Sequence, residues 1–205
     1  VVYASSSSVY GNAPVLPRRE EEPLAPCSPY AVSKAEGEVY ARLFAELYGL
    51  ETVGLRYFNV YGPRQDEASP YAAVIPRFIG AALAGRPPVI YGDGEQTRDF
   101  TYVADVVRAN LLAAEAPGVS GEVFNIAGGA ETSINELFAL VGRAVGRLGL
   151  TWAVQPLHEP ARPGEVRRSR AEVVKAEERL GFRAQVSLEE GLARTVEWFG
   201  RMRKG

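Results

Sequence analysis

The chain has 205 residues, 46% of them hydrophobic and 23% charged, with a formal net charge of -2. This is the balance of a globular core, one large domain or two small ones, and it gives no overall field favouring nucleic acid or an anionic membrane surface. No apolar run approaches the ~20 residues of a membrane span, no signal-peptide pattern is present, and the single Cys27 and single His158 exclude an internal disulfide and leave no Cys/His metal set, so a cytoplasmic protein without a metal is expected.

The chain opens on "VVYAS", a short β-rich apolar run that reads as a buried parallel strand whose carboxyl end opens into a loop of serines. Residues 12–29 carry five prolines and read as loop. Pro29 starts a helix with Ser28 as its N-cap; the helix runs to Tyr48 and stops at Gly49. "ETVGLRYFNV" is a strand, "YGPRQDEASPY" a loop, and a helix follows over 73–84. "PVIYG" is a short strand, "DGEQT" a turn and "RDFTYV" extended. Residues 104–115 are helical, "EVFNIA" is a strand, and "GGAETS" caps a helix over 134–147. "TWAVQP" reads as extended and "HEPARPGEVRRS" as loop, and helices near 170–180 and 187–202 follow, separated by Gly181. Strands alternating with helices define an α/β class.

Two stretches carry chemistry. In "SPYAVSK" Tyr30 and Lys34 stand four apart, on one face of a helix. A phenol titrates near 10, too high for a base at neutral pH, and a neighbouring ammonium favours its phenolate. A serine from "SSSSVYG" can hydrogen-bond both the phenol and a substrate oxygen. Such a trio can take a proton from an alcohol while hydride leaves its carbon. The serines sit at the carboxyl end of a strand, where open α/β sheets bind ligands. The plain alternative for the pair is a tyrosine ring packed on a lysine stem.

In order, "SSSSVYG", "SPYAVSK", "LRYFNVYGPRQ", "IYGDGEQTRDFTYVADVV", "VFNIAGG" and "RPGEV" resemble the extended short-chain dehydrogenase/reductases that act on nucleotide sugars, the NAD-dependent epimerase/dehydratases, with the 4-epimerases of UDP-glucose and UDP-galactose nearest. The resemblance covers nearly the whole chain. It implies a Rossmann-like doubly wound parallel sheet, lacking its first βαβ units, plus a small α/β substrate-binding domain. Residues 1–60 and 101–127 would be the remnant of the dinucleotide-binding domain, and 61–100 with 128–205 the nucleotide-sugar domain.

By the same resemblance Ser6, Tyr30 and Lys34 are catalytic, with Tyr30 the acid/base. Lys34 would lower the tyrosine pKa and hold the nicotinamide ribose, and the backbone near Tyr57 would lie beside the nicotinamide. Ser8 is a second hydroxyl near the sugar, and Asn59 a diphosphate contact. Val74 to Phe78, Tyr91, Arg98 and Arg162 would form the nucleotide pocket, with Tyr91 giving the uracil a flat face and the arginines forked donors for the diphosphate. Glu165 matches an acid that binds a ribose hydroxyl. Ser169 stands where some relatives carry a bulky tyrosine, so an N-acetylhexosamine is expected to fit as well. The outer arginines of "VRRSR", Cys27 and His158 are read as surface or structural.

The resemblance implies a UDP-sugar substrate and bound NAD, which takes hydride from C4 and returns it to the other face. Ser7 and Ser8 stand where 4,6-dehydratases carry an Asp-Glu pair, which disfavours dehydration; uronate epimerases and decarboxylases remain open. No Gly-x-x-Gly-x-x-Gly turn follows any strand of this sequence. The chain is therefore expected to be a fragment that keeps the Ser/Tyr/Lys set and the nucleotide-sugar site, lacks most of the NAD site, and is inactive alone. A non-catalytic nucleotide-sugar-binding remnant is the alternative. A second copy or a partner is expected to cover the first strand.

Overall fold

The computed structural model describes residues 1–66, 73–162 and 166–203. Three parallel strands form the central sheet in the order β1 (Val2–Ser6), β2 (Val53–Tyr57) and β7 (Glu122–Ile126), with β1 at one edge. The class expected from the sequence, α/β with a parallel sheet, is the one observed. Val2 lies opposite Val53 and Val53 opposite Glu122, so the three strands run in step to Ser6, Tyr57 and Ile126.

The sheet is covered on both faces, as parallel sheets are. One face presents Val53, Leu55, Phe124 and Ile126 to helices α3 (Val103–Glu115) and α5 (Val174–Leu180), an apolar layer with Val106, Ala109 and Ala176. The opposite face meets α1 (Pro29–Tyr48). There the alternation of strand side chains brings Ser5, Arg56 and Asn125 into one row, directly opposite one another across the three strands. All three are buried, and Glu38 of α1 is buried above them.

Local signals set the limits of α1. The Ser28 hydroxyl accepts the Ala31 N–H at 3.1 Å, Pro29 opens the first turn, and Gly49 closes the helix in the left-handed region at φ 68°. Gly37 lets the helix settle onto the strand, because a Cβ there would fall 2.1 Å from the Tyr3 hydroxyl. Away from the sheet, α1 exposes Tyr40, Phe44, Leu47 and Tyr48.

A second core joins α2 (Val74–Leu83), α4 (Ile134–Gly146) and α6 (Leu188–Met202) around Ile75, Phe78, Leu137, Val141, Leu192 and Val196. Short strand pairs lie beside these cores. They are β3 (Val60–Tyr61) with β6 (Thr101–Tyr102), β4 (Val89–Tyr91) with β9 (Leu157–Glu159), and β5 (Thr97–Arg98) with β8 (Thr132–Ser133). Strand β9 forms inside the stretch read as loop, whereas "TWAVQP" contains no strand and is held by the Trp152 indole donating to the Arg86 carbonyl at 3.0 Å. The stretch read as one strand to residue 60 breaks at Phe58 and Asn59. Among the described residues, no helix is long and apolar enough to cross a membrane.

Candidate functional site

The serine loop is not irregular. Ser6 ends β1 and caps a single 3-10 turn, Ser7–Tyr10, its hydroxyl accepting from the Ser8 N–H at 3.2 Å and the Ser8 hydroxyl at 2.9 Å. With its lone pairs engaged by Ser8, the Ser6 hydroxyl keeps its own proton to donate. Tyr30 and Lys34 share the first turns of α1, as their spacing requires. The Lys34 ammonium lies 5.7 Å from the Tyr30 ring centre and donates to the Ala4 carbonyl at 2.8 Å, two residues before Ser6. Tyr30 is 57% exposed, and its hydroxyl has no hydrogen-bond partner among the described residues. The Tyr57 hydroxyl donates to Asn110 at 3.0 Å, so its side chain is engaged with α3 and only its backbone is offered to a ligand.

Two cavities meet at Asn59 and Arg98. The first, about 240 Å³, is lined by Asn59, Val74, Ile75, Phe78, Tyr91, Gln96, Arg98 and Arg162, with Arg77 also in its wall. The second, about 140 Å³, is lined by Ser7, Ser8, Asn59, Arg98, Arg168 and Ser169, with the buried Arg18 behind. Of the residues singled out from the sequence, Asn59, Val74, Tyr91, Arg98 and Arg162 converge on the first, and Ser8 and Ser169 on the second, with Asn59 and Arg98 common to both. Ser6 reaches the second through Ser8, whereas Tyr30 and Lys34 line neither. Glu165 lies outside the described residues.

The junction is held rigidly. Asn59 sits at φ 29°, a backbone region that L residues rarely occupy, and its amide donates to the Asp99 carbonyl at 3.0 Å. Arg98 donates to the Thr97 and Val166 carbonyls at 2.8 and 2.7 Å. Beneath it, the buried Asp99 carboxylate accepts from the Gly128, Gly129 and Ala171 N–H groups at 2.9–3.1 Å. The "AGG" after β7 is thus a cradle for this carboxylate. Burial lifts the Asp99 pKa to about 6 from an ordinary 3.8, despite those N–H bonds.

In the wall of the first cavity the Arg162 guanidinium lies 3.8 Å over the Tyr91 ring, with Arg77 at 5.8 Å. Hydrogen bonding from Arg162, then from Arg77, holds the Tyr91 hydroxyl below the usual phenol range. The flat face expected to be open thus carries a guanidinium.

Two lining residues escaped the sequence reading. Arg77 is not one of them, since it falls within the Val74 to Phe78 stretch expected in the pocket, and it lines the first cavity. Arg168, the inner arginine of "VRRSR", was given no role and is held on the rim of the second cavity by Glu131 at 2.9 and 2.7 Å. Gln96 sits in a turn that gives no hint of its destination.

A parallel sheet with serines at the end of one strand, a Tyr–Lys pair on the next helix and a cavity reaching to a second core define the class of protein. Residues 1–127 match the NAD dependent epimerase/dehydratase family, and the chain belongs to it. A UDP-glucose 4-epimerase of Mycolicibacterium smegmatis is 44% identical over 200 residues, 97% of this chain and 62% of that protein. Among solved structures, a UDP-N-acetylglucosamine 4-epimerase of Methanobrevibacter ruminantium in complex with UDP-N-acetylmuramic acid superposes with a TM-score of 0.92 at 45% identity, covering 98% of this chain and 63% of that one. A UDP-glucose 4-epimerase of Thermotoga maritima with UDP-glucose gives 0.92 at 44% identity, with the same 98% and 63% coverage. The chain spans 62% of the length of the curated 4-epimerases it matches.

Proposed function

We propose that the chain carries the substrate-binding and acid–base part of a nucleotide-sugar 4-epimerase acting on UDP-glucose and UDP-galactose. The observation that carries this reading is the pair of cavities joined at Asn59 and Arg98, one walled by apolar side chains, Tyr91 and arginines, the other by serines and arginines. A base and ribose suit the first, a diphosphate the junction, and a hexose the second.

In this reading Arg98, Arg162 and Asn59 hold the diphosphate with N–H donors. Ser6 orients the 4-hydroxyl, and Tyr30 removes and later returns its proton. Lys34 keeps positive charge beside Tyr30 and is placed to hold a ribose hydroxyl. NAD, when bound, would accept hydride from C4 and give it back to the other face. The residues present fit its nicotinamide end, through Tyr30, Lys34 and the backbone at Tyr57, whereas the sequence holds no glycine turn for its pyrophosphate. Ser169, small and in the second cavity, supports acceptance of N-acetylhexosamines too. The exposed aromatic stripe of α1 supports a second copy or partner there.

A 4-epimerase must accept both C4 epimers. Titration with UDP-glucose and UDP-galactose should give affinities within about tenfold of each other. With NAD added, any interconversion should vanish in Tyr30→Phe. Strong binding of one epimer with exclusion of the other would contradict the reading.

A further inference from the structure

Gln96 lines the first cavity and has unfinished hydrogen bonding. It is 5% exposed, its Nε2 donates to the Tyr91 carbonyl at 2.7 Å, and its Oε1 is buried with no partner among the described residues. Exchanging the two amide atoms would set an oxygen against that carbonyl, so the neighbour fixes the assignment. A buried acceptor left unmet costs free energy, and one that lines a ligand cavity is a place for a ligand donor.

The cavity wall is not uniform. Asn59 and Arg98 make a cationic junction suited to phosphate. Away from that junction the wall, in which the bond to the Tyr91 carbonyl anchors Gln96, is made by Phe78, Val89, Ile90 and Ile134, with Arg77 and Arg162 drawn onto the Tyr91 ring. That part of the wall suits a flat ring with one polar edge to satisfy. We propose that Gln96 Oε1 accepts a hydrogen bond from the N3–H of a uracil or thymine ring, making Gln96 the residue that sets base specificity. The imide N3–H of these rings is a donor. Cytosine carries a bare acceptor at N3, which would meet Oε1 lone pair to lone pair. This inference rests on reading the cavity as the nucleotide site.

The test is calorimetric binding of UDP, CDP, N3-methyl-UDP, 2′-deoxy-UDP and dTDP to the protein and to Gln96→Leu. UDP should bind about tenfold or more tightly than CDP and N3-methyl-UDP. Gln96→Leu should bring UDP and CDP to within about threefold of each other. Comparison of dTDP with 2′-deoxy-UDP separates thymine from uracil. Equal binding of UDP, CDP and N3-methyl-UDP overturns the inference while leaving the nucleotide site standing. So does a loss confined to 2′-deoxy-UDP that Gln96→Leu erases, since Gln96 would then read the ribose. If UDP does not bind at all, the nucleotide reading itself fails, and this inference with it. If Gln96→Leu does not fold, the ligand series on the unaltered protein decides.

Discussion

Arg56 and Glu38 form a two-point ion pair between β2 and α1, Nε to Oε1 at 2.9 Å and Nη2 to Oε2 at 2.7 Å, with both side chains about 95% buried. The pair does not stand alone. Ser5 donates to the same Glu38 carboxylate, and Arg56 donates to the Tyr10 hydroxyl at 2.8 Å, which in turn donates to Asn125 at 2.7 Å. Ser5 precedes Ser6, and Glu38 lies one turn beyond Lys34. The network thus fixes the strand that ends in the serines against the helix that carries the Tyr–Lys pair.

Removing one partner strands a buried charge. Glu38→Gln and Arg56→Met should each cost about 3–5 kcal/mol in urea unfolding. A double replacement by apolar residues of matched size should cost less than the sum of the two. Single variants within about 0.5 kcal/mol of the parent would show that the pair does not clamp the helix.

Asp99 gives a pH dependence whose sign follows from its environment. Its pKa is raised on folding, from 3.8 to about 6, so the folded protein holds this proton more tightly than the unfolded chain. The associated stability is present below about pH 4 and is lost as pH rises to about 6. Asp99→Asn does not titrate. Parent stability minus variant stability should therefore fall by on the order of 2–3 kcal/mol between acid and neutral pH. A difference that grows with pH would mean that the N–H bonds from Gly128, Gly129 and Ala171 outweigh burial.

Arg162 has two partners to choose between, the Tyr91 ring it covers and a diphosphate. Arg162→Ala should weaken UDP binding about tenfold or more by removing a forked donor. It should leave uridine binding unchanged or tighter, because the Tyr91 face is uncovered. Equal losses for UDP and uridine would place Arg162 on the nucleoside instead.

The local features of this fold were legible in the sequence. Ser28, Pro29 and Gly49 delimited α1, and the four-residue spacing placed Tyr30 beside Lys34. What escaped was non-local. Strand β9 exists because Leu157, His158 and Glu159 pair with Val89, Ile90 and Tyr91, and its exposed side chains carry no alternation to announce it. Gln96 and Arg168 reach their cavities through turns whose course depends on distant packing. The row of Ser5, Arg56 and Asn125 appears only once three separated strands lie in register. The glycines after β7 carried no phosphate-binding pattern, and their role emerged only with Asp99 seated on them.

In the proposed reading the two cavities form one nucleotide-sugar site bridged at Arg98. Calorimetric titration of the parent protein and Arg98→Ala with UDP-glucose and with uridine tests it directly. The parent should bind UDP-glucose more tightly than uridine, and Arg98→Ala should lose about tenfold or more for UDP-glucose while uridine is unaffected. Unchanged UDP-glucose affinity in Arg98→Ala would contradict the bridge and separate the two cavities.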